Sequence, residues 1–397
     1  MRNCGSLTTQ PFPTDSDLRR SLRLTSQTFP SMVLNGGKGT FVVSGYCLGP
    51  IVSGGLLGNC VRDVKGLIMT QNNNLKRRVR ARAAKTGESY TAALKHIRRT
   101  PDMPASPSLR MAVAQTSLVN DPRIVSALKT AGQEMRRLMC DAHKAGARLI
   151  HFPEGATCWP SKRIMSENGP GEIGPSDWTR FEWETLRKEL EASRKLARRL
   201  KLWTILGSVH QLTPPHRPYN SLYVISDRGK LITRYDERLL SNTKISFMYS
   251  PGSVPVTFEI DGFRFGCALG MEAHYPEIFM EYEKLNVDCV LFSTAGDGPS
   301  NAPAFAAEIL GHAVSNTYWA SYSTLAAQST AAPSGIAAPD GRWVAQCPKN
   351  GLPAIAIADI AIDRENPARP WRRKARGDLY APHQVNNDPR SDSREQF

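Results

Sequence analysis

From Leu109 onward, strand-like and helix-like segments alternate, and this alternation limits the fold more than any other feature of the chain. Arg110–Gln115 reads as a strand, Ile124–Gly146 as an amphipathic helix and Arg148–Phe152 as a second, buried strand. Trp183–Leu200 is a long charged helix with i,i+4 pairs such as Glu184–Lys188 and Glu191–Lys195, followed by a strand over Leu202–His210. Tyr219–Ile225 and Leu231–Tyr235 form a hairpin about Asp227-Arg228-Gly229. Phe263–Leu269, Val287–Ser293, Trp319–Tyr322 and Ala354–Ile360 supply further strands. Ala304–Ser315 is a helix with Pro303 suited to its first turn. The pattern predicts one continuous α/β domain over 108–383, ending in a polar tail over 384–397.

The rest of the chain has a different texture. Residues 1–68 are rich in Ser, Thr, Gly and Pro and show no sustained period, so they read either as a poorly organised extension or as sequence upstream of a natural start at Met69. The uncharged run Phe41–Cys60 has about the length of a membrane span but carries five glycines and a proline, so no membrane span is expected. Residues 69–107 form a basic helical segment and a Pro-rich linker. There Ser89 is placed to cap a helix, and Lys76, Arg77, Arg78, Arg80 and Arg82 are the residues through which nucleic-acid phosphates would be contacted. A solvated cationic helix with no partner is the favoured alternative, because no aromatic stacking residues accompany the charge.

Charge follows the same division. The chain of 397 residues has a formal charge of +15, but residues 1–110 hold 17 Lys and Arg against 5 Asp and Glu, and residues 111–397 hold 34 against 31. Basicity therefore marks the N-terminal part and says little about the main domain. The 8 cysteines (Cys4, Cys47, Cys60, Cys140, Cys158, Cys267, Cys289 and Cys347) show no CxxC or other metal spacing and read as reduced thiols of a cytoplasmic protein. With no Walker loop, no GxGxxG and no metal signature, neither a cofactor nor a metal is expected.

Chemistry is expected where strands end. Glu154 follows the strand Arg148–Phe152 in HFPEGATCWPS, and a carboxylate at a buried strand end can act as a general base. The segments MAVAQTS, GARLIHFPEGA, YNSLYVISDRGKLITRYDERLL, SPGSVPVTFEIDGFRFGCALGMEAHYPEIF, VDCVLFSTAG, EILGHAVSNTYWASYST, PSGIAAPDGRWVAQ, AIADIAID and ARGDLYAP run in a single order over residues 109–383. In that order and spacing they resemble the nitrilase, or carbon–nitrogen hydrolase, superfamily. The resemblance implies a four-layer α-β-β-α sandwich, assembly as a homodimer or larger homo-oligomer, and an amide, nitrile or carbamoyl compound as small-molecule substrate.

The resemblance also implies a Glu–Lys–Cys triad of base, oxyanion-stabilising cation and nucleophile. Glu154 matches the base. The lysine position is Glu237 and the nucleophile position is Gly270, so the triad is incomplete. Possible substitutes are Arg238, whose side chain points to the opposite face of an extended segment, and Lys244, which needs a loop that folds back. Cys158 is a further candidate, as are Glu272 and His274 on the turn after Gly270; Cys267 reads as a core thiol. Two functional expectations stand side by side. One is a carbon–nitrogen hydrolase that uses Glu154 as base, with Cys158 or a water activated by Glu154 and Glu272 as the attacking group. The other is a catalytically silent family member that binds a ligand or serves as a scaffold, with nucleic-acid contact through residues 75–99 compatible with either.

Overall fold

The computed structural model describes residues 76, 77, 79–98, 107–296, 298, 300–363, 366–385 and 388–392. The expectations for residues 1–68, for Met69 as a start, for the run Phe41–Cys60, for Arg78 and for most of the linker lie outside these residues. The chain divides into two compact units at Arg98. In the first, residues 79–86 are helical, and a second helix, α1 (Tyr90–Arg98), follows. The Ala92 amide donates to Ser89 Oγ at 3.2 Å, which satisfies one of the free N–H groups at the start of α1.

The second unit starts with β1 (Ser108–Gln115), α2 (Val125–Lys144), β2 (Leu149–His151), α3 (Trp183–Leu200), β3 (Trp203–His210), β4 (Tyr219–Ile225) and β5 (Leu231–Asp236). It continues with β6 (Thr257–Ile260), β7 (Phe263–Leu269), α4 (Pro276–Lys284), β8 (Cys289–Ser293), α5 (Ala302–Asn316) and β9 (Trp319–Ser323). β10 (Gly335–Ala337), β11 (Trp343–Gln346), β12 (Ala354–Ala361) and α6 (Ala368–Arg376) complete it. The strands form two six-stranded sheets, in the orders β12-β1-β2-β3-β4-β5 and β11-β10-β9-β8-β7-β6. Each sheet has three adjacent parallel strands (β1, β2, β3 and β7, β8, β9) flanked by antiparallel ones.

The layers follow from side-chain alternation along the strands. In β1, Leu109, Met111 and Val113 join Phe263, Phe265, Cys267 and Leu269 of β7 in the core between the two sheets. Ala112 and Ala114 face the other way and pack with Met135, Leu138 and Met139 of α2 and with Leu196 of α3. On the second sheet, Ala268, Val290 and Phe292 pack with Phe279 of α4 and with Phe305 and Ile309 of α5. Helix, sheet, sheet and helix are therefore stacked as the four-layer α-β-β-α sandwich expected from the sequence, and Cys267 is a buried thiol of the central layer. Between the sheets, His151 is wholly buried, with Nδ1 2.9 Å from Ser321 Oγ and Nε2 2.7 Å from Ser293 Oγ; burial pulls its pKa down to about 3, so the ring is neutral.

Candidate active site

Four strand ends converge on one place. Glu154 follows β2, Glu237 comes directly after β5, Gly270 directly after β7, and Ala295 lies just beyond β8. Gly207 on β3 lets the Glu154 segment approach, because a Cβ there would collide with the Pro153 carbonyl oxygen. The Phe152 carbonyl accepts from Ser293 Oγ at 2.9 Å, which fixes the end of β2 against the end of β8. Glu154 is 3% exposed, and its Oε2 accepts from the Ala295 amide at 2.9 Å.

Lys244 is brought in by a single π-helical turn, Lys244–Met248, in which the Tyr249 amide bonds to the Lys244 carbonyl at 2.9 Å. Trp178 Nε1 donates to the Met248 carbonyl at 3.0 Å and the Ser176 amide to the Phe247 carbonyl at 3.0 Å, holding the turn inward. The Lys244 ammonium lies 2.6 Å from Glu154 Oε1 and 2.9 and 2.7 Å from the two oxygens of Glu237. Asn220 Nδ2 bridges the same carboxylates, at 2.9 Å to Glu154 Oε1 and 2.6 Å to Glu237 Oε2. The two Glu237 oxygens belong to one carboxyl group and share one N–H, so with Glu154 they engage two of the three N–H groups of the ammonium.

The electrostatics follow from burial. Glu237 is wholly buried; desolvation raises its carboxyl to about 7, with Lys244 pulling it down and Glu154 and Glu272 pushing it up. Burial alone would lower Lys244, but the two carboxylates outweigh it and hold the ammonium well above its ordinary range. Gly270 faces this cluster with a φ of +54° and no side chain. A Cβ at that position would strike Glu237 Oε1 and lie 2.8 Å from Lys244 Nζ.

The structure thus gathers Glu154, Glu237 and Gly270, brings in Lys244 by the fold-back its candidacy required, and adds Asn220. Arg238 turns the other way, to Glu281 at 2.8 Å and the Tyr235 hydroxyl at 3.2 Å. Cys158 is wholly buried among Leu128, Met165 and Phe181, and burial pushes its thiol up to about 12, so it stays protonated. Glu272 is wholly buried behind the Gly270 turn, accepting from the amides of Leu269, Arg238 and Leu239 and from the Tyr235 hydroxyl. His274 pairs with Glu308 at 2.7 Å. The fold-back of Lys244 carries no local period in the sequence, and Asn220 has no signature that separates it from an ordinary strand-end asparagine.

Above the cluster is a cavity of about 360 Å³, walled by Trp159, Met248, Tyr249, Met271 and Phe305, with Glu154, Lys162 and Lys244 as its charged lining residues. Its size suits a small organic molecule. Among the described residues, no group of three His, Cys, Asp or Glu side chains is placed to hold a metal ion, and no helix is long and apolar enough to cross a membrane.

Comparison with known proteins agrees with this architecture. An amidase of the nitrilase superfamily from Nesterenkonia AN1, solved as a cysteine-to-alanine variant, superposes with a TM-score of 0.53 at 16% identity, over 71% of this chain and 99% of that one. The NitFhit protein of C. elegans superposes with a TM-score of 0.55 at 17% identity, over 70% of this chain and 65% of that one. No curated protein matches the sequence. Residues 110–370 match the carbon–nitrogen hydrolase family. This match spans more than half of the chain, and the chain belongs to that family, a hydrolase of carbon–nitrogen bonds by resemblance.

Proposed function

We propose that this chain binds a small amide, nitrile or carbamoyl compound in the family pocket without covalent thiol catalysis. The observation that carries this reading is the closed cluster beneath the cavity. Gly270 offers no nucleophile, and the Lys244 ammonium is held between the carboxyl groups of Glu154 and Glu237, which offset its charge before any oxyanion develops. The groups of a covalent triad act as a unit, and losing the thiol removes the route. A related Nesterenkonia amidase variant is described in complex with butyramide, which makes that amide a suitable first probe here.

A second reading is hydrolysis by a water activated by Glu154. It is favoured by Glu237, whose carboxyl is raised to about 7 and can hold a proton beside Glu154 near neutral pH. Calorimetric titration with butyramide, run alongside an ammonia-release assay, separates the two. Binding without ammonia is the expected result. Ammonia release that vanishes in Glu154→Ala would overturn silent binding in favour of the water route. The double change Gly270→Cys with Glu237→Lys supplies a thiol and removes the carboxylate that a Cβ at 270 would strike; activity in it alone would mark an intact pocket.

A further inference from the structure

We propose that the first unit binds duplex DNA, with the basic helical run over 76–86 on the phosphate backbone and the start of α1 at the major groove. This inference does not depend on how the cavity of the second unit is read.

The sequence places no acidic residue between Met69 and Gly87, and Lys76, Arg77, Arg80, Arg82 and Lys85 are all exposed and helical. Burial gives this run an inner side. Val79 is wholly buried and Ala83, one turn on, is half-buried, whereas residues 80–82 and 84–86 are exposed. Arg82 pairs with Glu88 at 2.6 Å. Among the described residues, Lys76, Arg77, Arg80 and Lys85 enter no ion pair, so four like charges stand in solvent within three helical turns. Ten helical residues rise about 15 Å, and duplex DNA carries a negative charge every ~1.7 Å of its axis. A phosphate backbone supplies the counter-charge that the fold itself does not.

The connection between the helices is short and fixed. Gly87 ends the first helix at φ +73°, with its amide donating to the Ala83 carbonyl at 2.9 Å. The Arg82–Glu88 pair crosses from that helix to the turn, and Ser89 caps α1 through the Ala92 amide. Only Gly87, Glu88 and Ser89 separate the two helices, a length and glycine content that suit a helix-turn-helix.

In that arrangement the first helix crosses the DNA backbone and the first residues of the second meet base edges. Here the first helix carries the unpaired cations. At the start of α1, Tyr90 is 41% exposed and Thr91 is exposed, while Ala93 is wholly buried. Tyr90 supplies the aromatic that the basic run itself lacks, and Thr91 offers both a hydroxyl and a methyl group to a base edge. Duplex RNA is a poorer match, because its major groove is too deep and narrow for side chains to read.

The test measures fluorescence anisotropy of a labelled mixed-sequence DNA duplex of about two helical turns, titrated with the full chain over a salt series. Affinity is expected to fall by roughly a hundredfold or more between about 50 and 200 mM salt, as four or more phosphate contacts require. Lys76→Gln, Arg77→Gln, Arg80→Gln and Lys85→Gln combined should lower the salt slope by about 3.6, while Lys76→Arg with Lys85→Arg should keep it. These positions are exposed, so the substitutions leave the buried side of the helix intact. Tyr90→Ala should weaken binding about tenfold with the salt slope unchanged. No binding at low salt overturns the inference, and so does an unchanged slope in the fourfold variant, which would assign the contact to other basic residues. Unaltered affinity in Tyr90→Ala, or a duplex RNA bound as tightly as the DNA, overturns the placement of α1 at the major groove.

Discussion

A single methyl group at residue 270 measures how tightly the cluster is closed. Gly270 sits at φ +54°, where an L-residue costs about 1–2 kcal/mol, and the added Cβ meets Glu237 and Lys244 instead of open space. Gly270→Ala is therefore expected to lose about 2–4 kcal/mol in denaturant unfolding. Glu237→Ala should relieve most of the clash, so the loss on adding Gly270→Ala in that background should be smaller. A Gly270→Ala chain as stable as the natural one would show that the turn has room, and would reopen the site to a side chain. Glu237 supplies a second test. Its carboxyl titrates near 4.5 in the unfolded chain and about 7 in the folded one, so between these values the folded state holds the extra proton. Stability from this group is complete below about pH 4.5 and falls as pH rises through 7. Glu237→Gln should flatten that decline between pH 5 and 8 in chemical denaturation; an unchanged slope would mean that Glu237 is ionised throughout.

The elements around the cluster are joined by another carboxylate. Glu272 ties the 3₁₀ turn after β7 to the end of β5 through three amides and a phenol, at 2.7–3.3 Å. Burial raises its pKa, while these hydrogen bonds work in the opposite direction. Glu272→Ala strands four buried donors and is expected to cost about 3–5 kcal/mol, measured by thermal unfolding; Glu272→Gln should cost less, because the amide oxygen still accepts. Equal losses for the two substitutions would deny the hydrogen-bonding role.

The same elements show what the sequence can and cannot carry. Strands that bury both faces, such as β4 and β7, stand out as apolar runs, and their ends coincide with the expected residues. The three-residue β10, the short β6 and β11 and the arginine-rich α6 were not anticipated, since they are too short or too polar to show a period. In the site, Glu154 was legible as a carboxylate at a strand end, and Glu237 and Gly270 through the resemblance to the family, with whose lysine and nucleophile positions they align. Lys244 depends on a π-helical turn held by Trp178 and Ser176, which are remote in sequence, and Asn220 is identified only by the two carboxylates it bridges.

At the scale of the whole chain, part of the basic charge of the second unit serves to fix helix α6. Arg369, Arg373 and Arg376 of α6 converge on Glu283 of α4, whose side chain is 2% exposed, at 3.7, 2.6 and 3.2 Å. Arg372 of the same helix caps the end of α5 through the Val314 carbonyl at 2.6 Å, and Arg376 reaches the Ser315 carbonyl at 3.3 Å. Helix α6 is thereby clasped onto the outer helical layer by one buried acid. Breaking a buried pair by removing one partner commonly costs about 3–5 kcal/mol. Here the loss has a lower ceiling, because the arginines can return to water if α6 lifts away, so the loss cannot exceed what docking of α6 contributes. Glu283→Ala should therefore leave the cooperative melt of the sandwich in place and abolish amide-exchange protection over residues 368–376. Added salt should weaken this clasp little in the natural chain, since Glu283 is shielded from solvent. Retained protection in Glu283→Ala would mean that the carbonyl contacts of Arg372 and Arg376 hold α6 by themselves, and that the convergence of three arginines on Glu283 is not what fixes the C-terminal layer.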